Sequence, residues 1–374
     1  MHIRRWVLTP LAFAILASAA VSYAPALAQQ KKDQKLDKIQ QQELQAAYKM
    51  ADAAAAGQQV PTDIGMSMRT DFLKAQNGLT FVPFVLSLDP AQVSAKTVTL
   101  YLRLVARTPA GAAAPVAGAA VAVAVAGAAK SEAAPAKNPQ DAAAKAPDYA
   151  FQGVHFVELK APPAGEPYRL SRAFSVTAGD YDLYIVVRER AATEAKSKAA
   201  GPKVGILKQL ITVPNLWGTD LTTSSIILAD EVKPIEKPPT AEQIAEQPYT
   251  LGNSLVTPAA STKLSKTGGG LNVLFLIYNT GQDGDRKPDI AVEYLFYQRF
   301  ADKPEKYFNK TNPQTFNAAT LPPQFDIAAG HNLLANQNVP LASFPEGEYR
   351  LEIKITDKLS GKIVTRNVMF SVAA

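Results

Sequence analysis

From Ile64 onward, apolar and polar residues alternate along the chain with a period of two, the pattern of half-buried strands. Phe81–Leu88 is a nearly continuous apolar run closed by the turn pair Asp89-Pro90. In Thr97–Arg107, Val98, Leu100, Leu102 and Leu104 point one way, and Thr99, Tyr101 and Arg103 the other. Further strand patterns cover 150–160, 168–177, 180–190 and 204–213, separated by Pro, Gly and Asp. About seven short strands with no helical spacers predict an antiparallel sandwich. A second set follows Trp217-Gly218-Thr219-Asp220. It comprises Ser224–Asp230, a Pro- and charge-rich bridge over 233–248, then Leu271–Asn279, Ile290–Gln298, Phe325–Ala328, Glu348–Thr356 and Ile363–Val372.

Three stretches depart from this period. Residues 31–56 are mostly Gln, Glu, Lys and Ala without Pro, and Gly57 stands where a C-terminal cap belongs, so a helix is predicted. Leu36, Leu44, Ala47, Tyr48 and Ala51 share one face, which Glu43 interrupts, so a coiled-coil seam is not sustained. Residues 109–147 are mostly Ala with Pro and Gly; with nothing large to bury, they cannot offset the entropy of ordering. They read as a disordered insertion in a loop between two strands. At the N-terminus, Arg4 and Arg5 precede an uncharged apolar run, Trp6–Val21, and then Ala26-Leu27-Ala28. That is the layout of a secretory signal cleaved after Ala28, which makes Gln29 the first mature residue.

Composition sharpens the picture of an exported protein. Of 374 residues, removal of 28 leaves 346, enough for two domains at ~150 residues each. The signal holds two of the 39 basic residues and none of the 33 acidic ones, so the mature charge is 37 − 33 = +4. Such a mild balance, with no basic run interleaved with aromatics, does not point to nucleic acid. There is no Cys, so in an oxidising compartment stability must come from packed cores. After the signal, no segment reads as a transmembrane helix. The expected organisation is a signal peptide over 1–28, a helical lead over 29–58, a first sandwich over 59–216 containing the insertion, and a second over 217–374. The fold class is all-β, with two tandem antiparallel sandwiches of immunoglobulin-like or fibronectin-III-like type.

An internal repeat links the halves. Gly179-Asp180-Tyr181-Asp182-Leu183-Tyr184-Ile185-Val186-Val187 aligns with Gly347-Glu348-Tyr349-Arg350-Leu351-Glu352-Ile353-Lys354-Ile355, an offset of 347 − 179 = 168 residues. Gly179 and Gly347 permit the turn, and Tyr181 and Tyr349 begin strands, the place of a sandwich's tyrosine corner. Two segments, 343–351 (Ser-Phe-Pro-Glu-Gly-Glu-Tyr-Arg-Leu) and 356–362 (Thr-Asp-Lys-Leu-Ser-Gly-Lys), resemble a family of exported bacterial proteins. That family is the von Willebrand factor type A-related group, here matching its C-terminal β-sandwich modules. Thr222–Asp230 and Leu276-Ile277-Tyr278-Asn279 are similar to it too. The resemblance implies a sandwich fold and no assigned activity. The type A domain itself is missing, because no Asp-x-Ser-x-Ser string occurs.

The chain offers little to catalysis. Only His155 and His331 remain after the signal, which rules out a His/Cys zinc site, and no Gly-x-Ser-x-Gly elbow occurs. Lys266-Thr267-Gly268 lacks the Ser-x-x-Lys partner that a β-lactamase needs, and Gly268-Gly269-Gly270 is a loop. Asn279, Asp283, Asp285 and Asp289 could gather oxygen ligands for calcium, but depart from EF-hand order. Asp-Gly between strands is first of all a hairpin turn. Tyr294, Leu295, Phe296 and Tyr297 are apolar on both strand faces, and Phe300, Tyr307 and Phe308 follow. Such rows either fill a core or, exposed, stack on sugars or dock a partner. The expectation is therefore a non-enzymatic binding or structural protein of the periplasm or cell surface. It would bind an unknown protein or polysaccharide partner, with no catalytic, cofactor or metal residues and no nucleic acid. The alternatives are an envelope hydrolase with paired carboxylates and a membrane-surface protein attached through 31–56.

Overall fold

A computed structural model describes residues 36–107, 149–190, 201–237 and 239–374. The signal peptide expected over 1–28, with Ala26, Ala28 and Gln29 at its cleavage site, and the insertion expected over 109–147 lie outside the described residues. The elements run α1 (Lys38–Ala55), β1 (Met66–Thr70), β2 (Leu73–Lys74), β3 (Thr80–Leu88), β4 (Thr97–Ala106), β5 (Phe151–Glu158), β6 (Tyr168–Val176), β7 (Gly179–Glu189) and β8 (Val204–Val213). There follow β9 (Thr222–Thr223), β10 (Ile227–Pro234), α2 (Ala241–Glu246), β11 (Thr250–Leu251), β12 (Ser254–Pro258) and β13 (Lys263–Ser265). The last are β14 (Leu271–Tyr278), β15 (Ile290–Arg299), β16 (Lys306–Lys310), β17 (Gln314–Phe316), β18 (Leu333–Val339), β19 (Gly347–Asp357) and β20 (Ile363–Ala373). The described fold is all-β, built largely from antiparallel pairs, and β13 pairs with β20 in parallel.

Of the described residues, those up to Gly218 together with Thr223–Pro258 form one compact unit, and Thr219–Thr222 with Ala259–Ala374 the other. In the first unit, β3 pairs with β1, β2 and β6, and the facing sheet runs β5-β4-β7-β8. Val82, Phe84 and Leu86 from β3 meet Leu100, Leu102, Leu183 and Ile185 between the sheets. Sandwiches often leave their outer faces wet; here both outer faces are covered. Tyr101, Val186 and Val204 point out of the β4-β7-β8 sheet and pack on Leu44, Ala47 and Ala51 of α1. Over the other sheet, Tyr249 donates to Asp71 at 2.9 Å and Arg169 to the Pro258 carbonyl at 2.5 Å, so 223–258 groups with this unit.

The helix begins later than its composition predicts, because Asp37 and Gln40 form a capping box that satisfies free backbone N–H groups at the start. Glu43, which breaks the apolar stripe, is buried and accepts a hydrogen bond from Thr99 Oγ1 at 3.0 Å. The bridge over 233–248 contains α2, whose start is capped by Thr240 and Gln243 in the same way.

The second unit repeats the connectivity of the first. β15 pairs with β16 and β19, β19 with β20, and β14 with β18, as β4 pairs with β5 and β7, β7 with β8, and β3 with β6. Phe296, Phe344, Tyr349 and Phe370 are buried at its centre, with Tyr349 stacked on Phe370 at 5.4 Å. The strand expected at Phe325–Ala328 is instead a turn. Lys287 Nζ reaches in from the 279–289 loop and donates to the carbonyls of Pro322, Pro323 and Phe325, which holds that backbone out of any ladder. The next strand, β18, starts eight residues further on and pairs with β14.

Candidate functional site

Each tyrosine of the repeat starts a strand and turns its ring inward. Tyr181 Oη donates to the Thr177 carbonyl at 2.9 Å, and Tyr349 Oη to the Pro345 carbonyl at 2.8 Å, both four residues upstream. Gly179 (φ +152°) and Gly347 (φ +144°) occupy backbone conformations that a side chain disfavours. The repeat reaches further than its sequence identity. Its strands β7 and β19 end on buried carboxylates 357 − 189 = 168 residues apart, Glu189 and Asp357. Glu189 accepts from Ser94 N, Ser94 Oγ, Ala95 N and Lys203 N; Asp357 accepts from Gly281 N, Leu359 N, Ser360 N and Ser360 Oγ. Burial opposes ionisation of both, yet these donors hold each carboxyl below its ordinary range. They are knots that fix loops, positioned alike in both units.

The remaining polar candidates are used locally. Asp283 Oδ1 accepts from the backbone N–H of Asp285 and Lys287, Asn279 donates to the Asp220 carbonyl, and Asp289 pairs with Lys358 at 3.1 Å. The 279–289 loop is thus a turn braced from several sides, and among the described residues no three His, Asp or Glu side chains form a metal-ligating group. His155 sits in β5, and burial, then the nearby Arg172 charge, lowers its pKa to about 4. His331 Nδ1 accepts from Asp326 N at 2.9 Å. Asp71 is pushed upward by burial, but it faces Tyr249 and Arg69.

The aromatic row of β15 divides between two faces. Tyr294 and Phe296 are buried, while Tyr297 turns outward. Register across the sheet aligns Tyr307 of β16, Tyr297 of β15, Arg350 of β19 and Met369 of β20 in one transverse line. Tyr307 meets Tyr297 edge-on at 5.8 Å, and the Arg350 guanidinium lies over the Tyr297 ring at 4.3 Å. Arg350 is locked by Glu305 (2.6 and 3.0 Å), Glu352 (2.7 Å) and Asn367 (2.5 Å). The Glu305 hydrogen bonds, then Glu352, raise its pKa, and Arg350 in turn lowers that of Glu305. At the ends of the line, Tyr307 is 49% and Met369 46% exposed. A rigid guanidinium flanked by exposed aromatic and thioether surface is suited to non-covalent binding, since its side chains are ordered before a partner arrives.

The same face of the first unit shows why, among the described residues, no helix packs on this one. Val186 pairs with Tyr101 there and supports α1; 168 positions on, Lys354 pairs with Glu293, and the two form a 3.4 Å ion pair. An apolar pair in one copy has become a solvated charge pair in the other. Sequence reasoning noted Tyr297 and Tyr307 but missed Arg350, Glu305, Glu352 and Met369. The alternation within Tyr349-Arg350-Leu351 would have placed Arg350 opposite the core.

No family model matches the chain, and no curated protein matches it. Among solved structures, the chain is similar to Escherichia coli alpha-2-macroglobulin activated by porcine elastase, at 11% identity and a TM-score of 0.21. That match covers 84% of this chain and 24% of the other, so the chain spans about a quarter of that protein's length. It is also similar to a protein named pT26-6p, at 7% identity and a TM-score of 0.15, covering 90% of this chain and 70% of the other.

Proposed function

We propose that this chain is a non-enzymatic binding protein of the cell envelope, exported by its N-terminal signal, which contacts a partner through the outer face of the second unit. The observation that carries this reading is the line Tyr307–Tyr297–Arg350–Met369, ordered by ion pairs and, among the described residues, without a helix over it, where the first unit's face is packed under α1. Five large apolar side chains exposed on this unit, Phe300, Tyr307, Leu359, Ile363 and Met369, add to it. A paired-carboxylate hydrolase draws no comparable support, because the raised carboxyl, Asp71, is met by a phenol and a guanidinium. Membrane attachment through the lead helix is disfavoured too, since Leu44, Ala47 and Ala51 are already packed on the first unit.

The test is capture from envelope extract with the exported chain carrying a photo-crosslinker at Tyr307. The reading predicts a crosslinked protein or polysaccharide that Arg350→Ala and Met369→Asp lose. Recovery of nothing, or of partners indifferent to both substitutions, counts against it.

A further inference from the structure

β20 carries an open edge. It is eleven residues long, yet β13 pairs with it only at Ser371, Val372 and Ala373. Ser371 N donates to the Thr262 carbonyl at 2.9 Å, so its N–H points away from β19. The two-residue period of a strand then turns the N–H groups of Ile363, Thr365, Asn367 and Met369 to the same side. Among the described residues, no strand pairs with them there. The stretch Ile363–Phe370 lacks Pro and Lys, and the one charge that guards it is Arg366, on the strand face that also carries Phe370 and Val372.

Charge decides what this edge accepts. Arg366 stands at its midpoint, half-buried, opposite Ile353 in the ladder, and donates to Thr222 Oγ1 at 3.1 Å. Were a second copy to pair antiparallel so that Ile363 met Met369, Arg366 would face Arg366 directly. Like charges opposite each other destabilise a sheet pair. A different chain with an acid at that position gains where a second copy loses.

We propose that the β20 edge takes up an extended segment of a partner protein, which carries an acidic residue opposite Arg366 and apolar residues three positions to either side. Such residues fall opposite Ile363 and Met369, which are 58% and 46% exposed on the outer face. The inference rests on the binding-protein reading and specifies its mode.

The test uses the exported chain and a blocked peptide, Ile-Val-Thr-Glu-Thr-Val-Ile. Binding is followed by fluorescence anisotropy, and hydrogen exchange at Ile363–Met369 is read alongside. The peptide should bind and protect the amides of Thr365 and Asn367. Methylating its alternate amide nitrogens, or introducing Thr365→Pro, should weaken binding by at least about tenfold. The Thr365 N–H faces away from β19, so proline there spares the existing ladder; the methylated peptide gives the same answer without touching the protein. Arg366→Glu should exchange preference for the Glu-centred peptide with one centred on Lys. Equal binding of the methylated peptide, or a dimer of the chain that Thr365→Pro disrupts, overturns the proposal. An envelope partner captured equally well by Thr365→Pro sinks strand addition while leaving the binding-protein reading in place; failure to capture any partner removes that reading instead.

Discussion

Replacing Asp357 by Asn keeps its shape and removes its charge at the end of β19. The side chain is fully buried and accepts four hydrogen bonds: Gly281 N at 2.6 Å, Ser360 Oγ at 2.7 Å, Leu359 N at 3.0 Å and Ser360 N at 3.4 Å. Asparagine offers one oxygen and turns an NH2 donor toward a set of groups that are mainly donors. Hydrogen bonds to a charged group contribute about 1.5–3 kcal/mol each, against about 0.5–1.5 for neutral ones. The Ser360 hydroxyl can rotate to accept, and the 3.4 Å contact is weak, so the loss is concentrated in two bonds. The cost should be about 2–4 kcal/mol, a large share of a domain's stability. Urea denaturation of the wild type and Asp357→Asn measures it. The pH dependence supplies a second reading. The folded carboxyl is held below its unfolded value, so its stabilisation is fully present above the unfolded pKa and fades as pH falls through the folded one. The gap between wild type and Asp357→Asn should therefore be constant near neutrality and narrow below about pH 4. A variant that unfolds with the wild type, or a gap unchanged at acid pH, would refute the account of the knot. Glu189→Gln, at the matching position of the first unit, should behave alike.

Tyr349→Phe removes the bond to the Pro345 carbonyl and should cost about 0.5–1.5 kcal/mol. Tyr349→Ala also opens a cavity beside Phe308, Phe344 and Phe370, for about 3–5 kcal/mol by thermal or chemical denaturation. Ala47→Arg places a cation in the fully buried seam between α1 and the sheet; hydrogen exchange should show α1 detached, with protection of β3 and β6 retained. Lys287→Met strands the carbonyls of Pro322, Pro323 and Phe325, and should accelerate exchange of the Phe325 amide and lower stability by about 2 kcal/mol.

Much of the fold was legible along the chain. Alternation in Thr97–Arg107 and in the second copy of the repeat marks strands because successive side chains of an extended chain point to opposite faces, a property of consecutive residues. The bounds of β4, β7, β8 and β19 accordingly fall within a residue or two of the pattern. The turn at Phe325–Ala328 misled because its apolar Phe325 reads like a strand residue, and the cause lies 38 positions away in Lys287. Gln40 caps α1 together with Asp37, a role set by its position three residues after the cap, which the Gln-rich composition of 31–56 masks.

What the sequence determined by itself was the class of fold, its duplication and the tyrosines that start matching strands, all of them local or periodic features. What only the tertiary structure decided was pairing. Cross-strand register brings Tyr307, Tyr297, Arg350 and Met369 into one line, though they come from four strands spread over 73 positions of chain. Register likewise sets Lys354 beside Glu293 where the first unit has Val186 beside Tyr101, so that among the described residues a helix covers one face and not the other. A strand's own residues specify which way each side chain points; which neighbour it meets depends on loop closure and core packing summed over the whole unit.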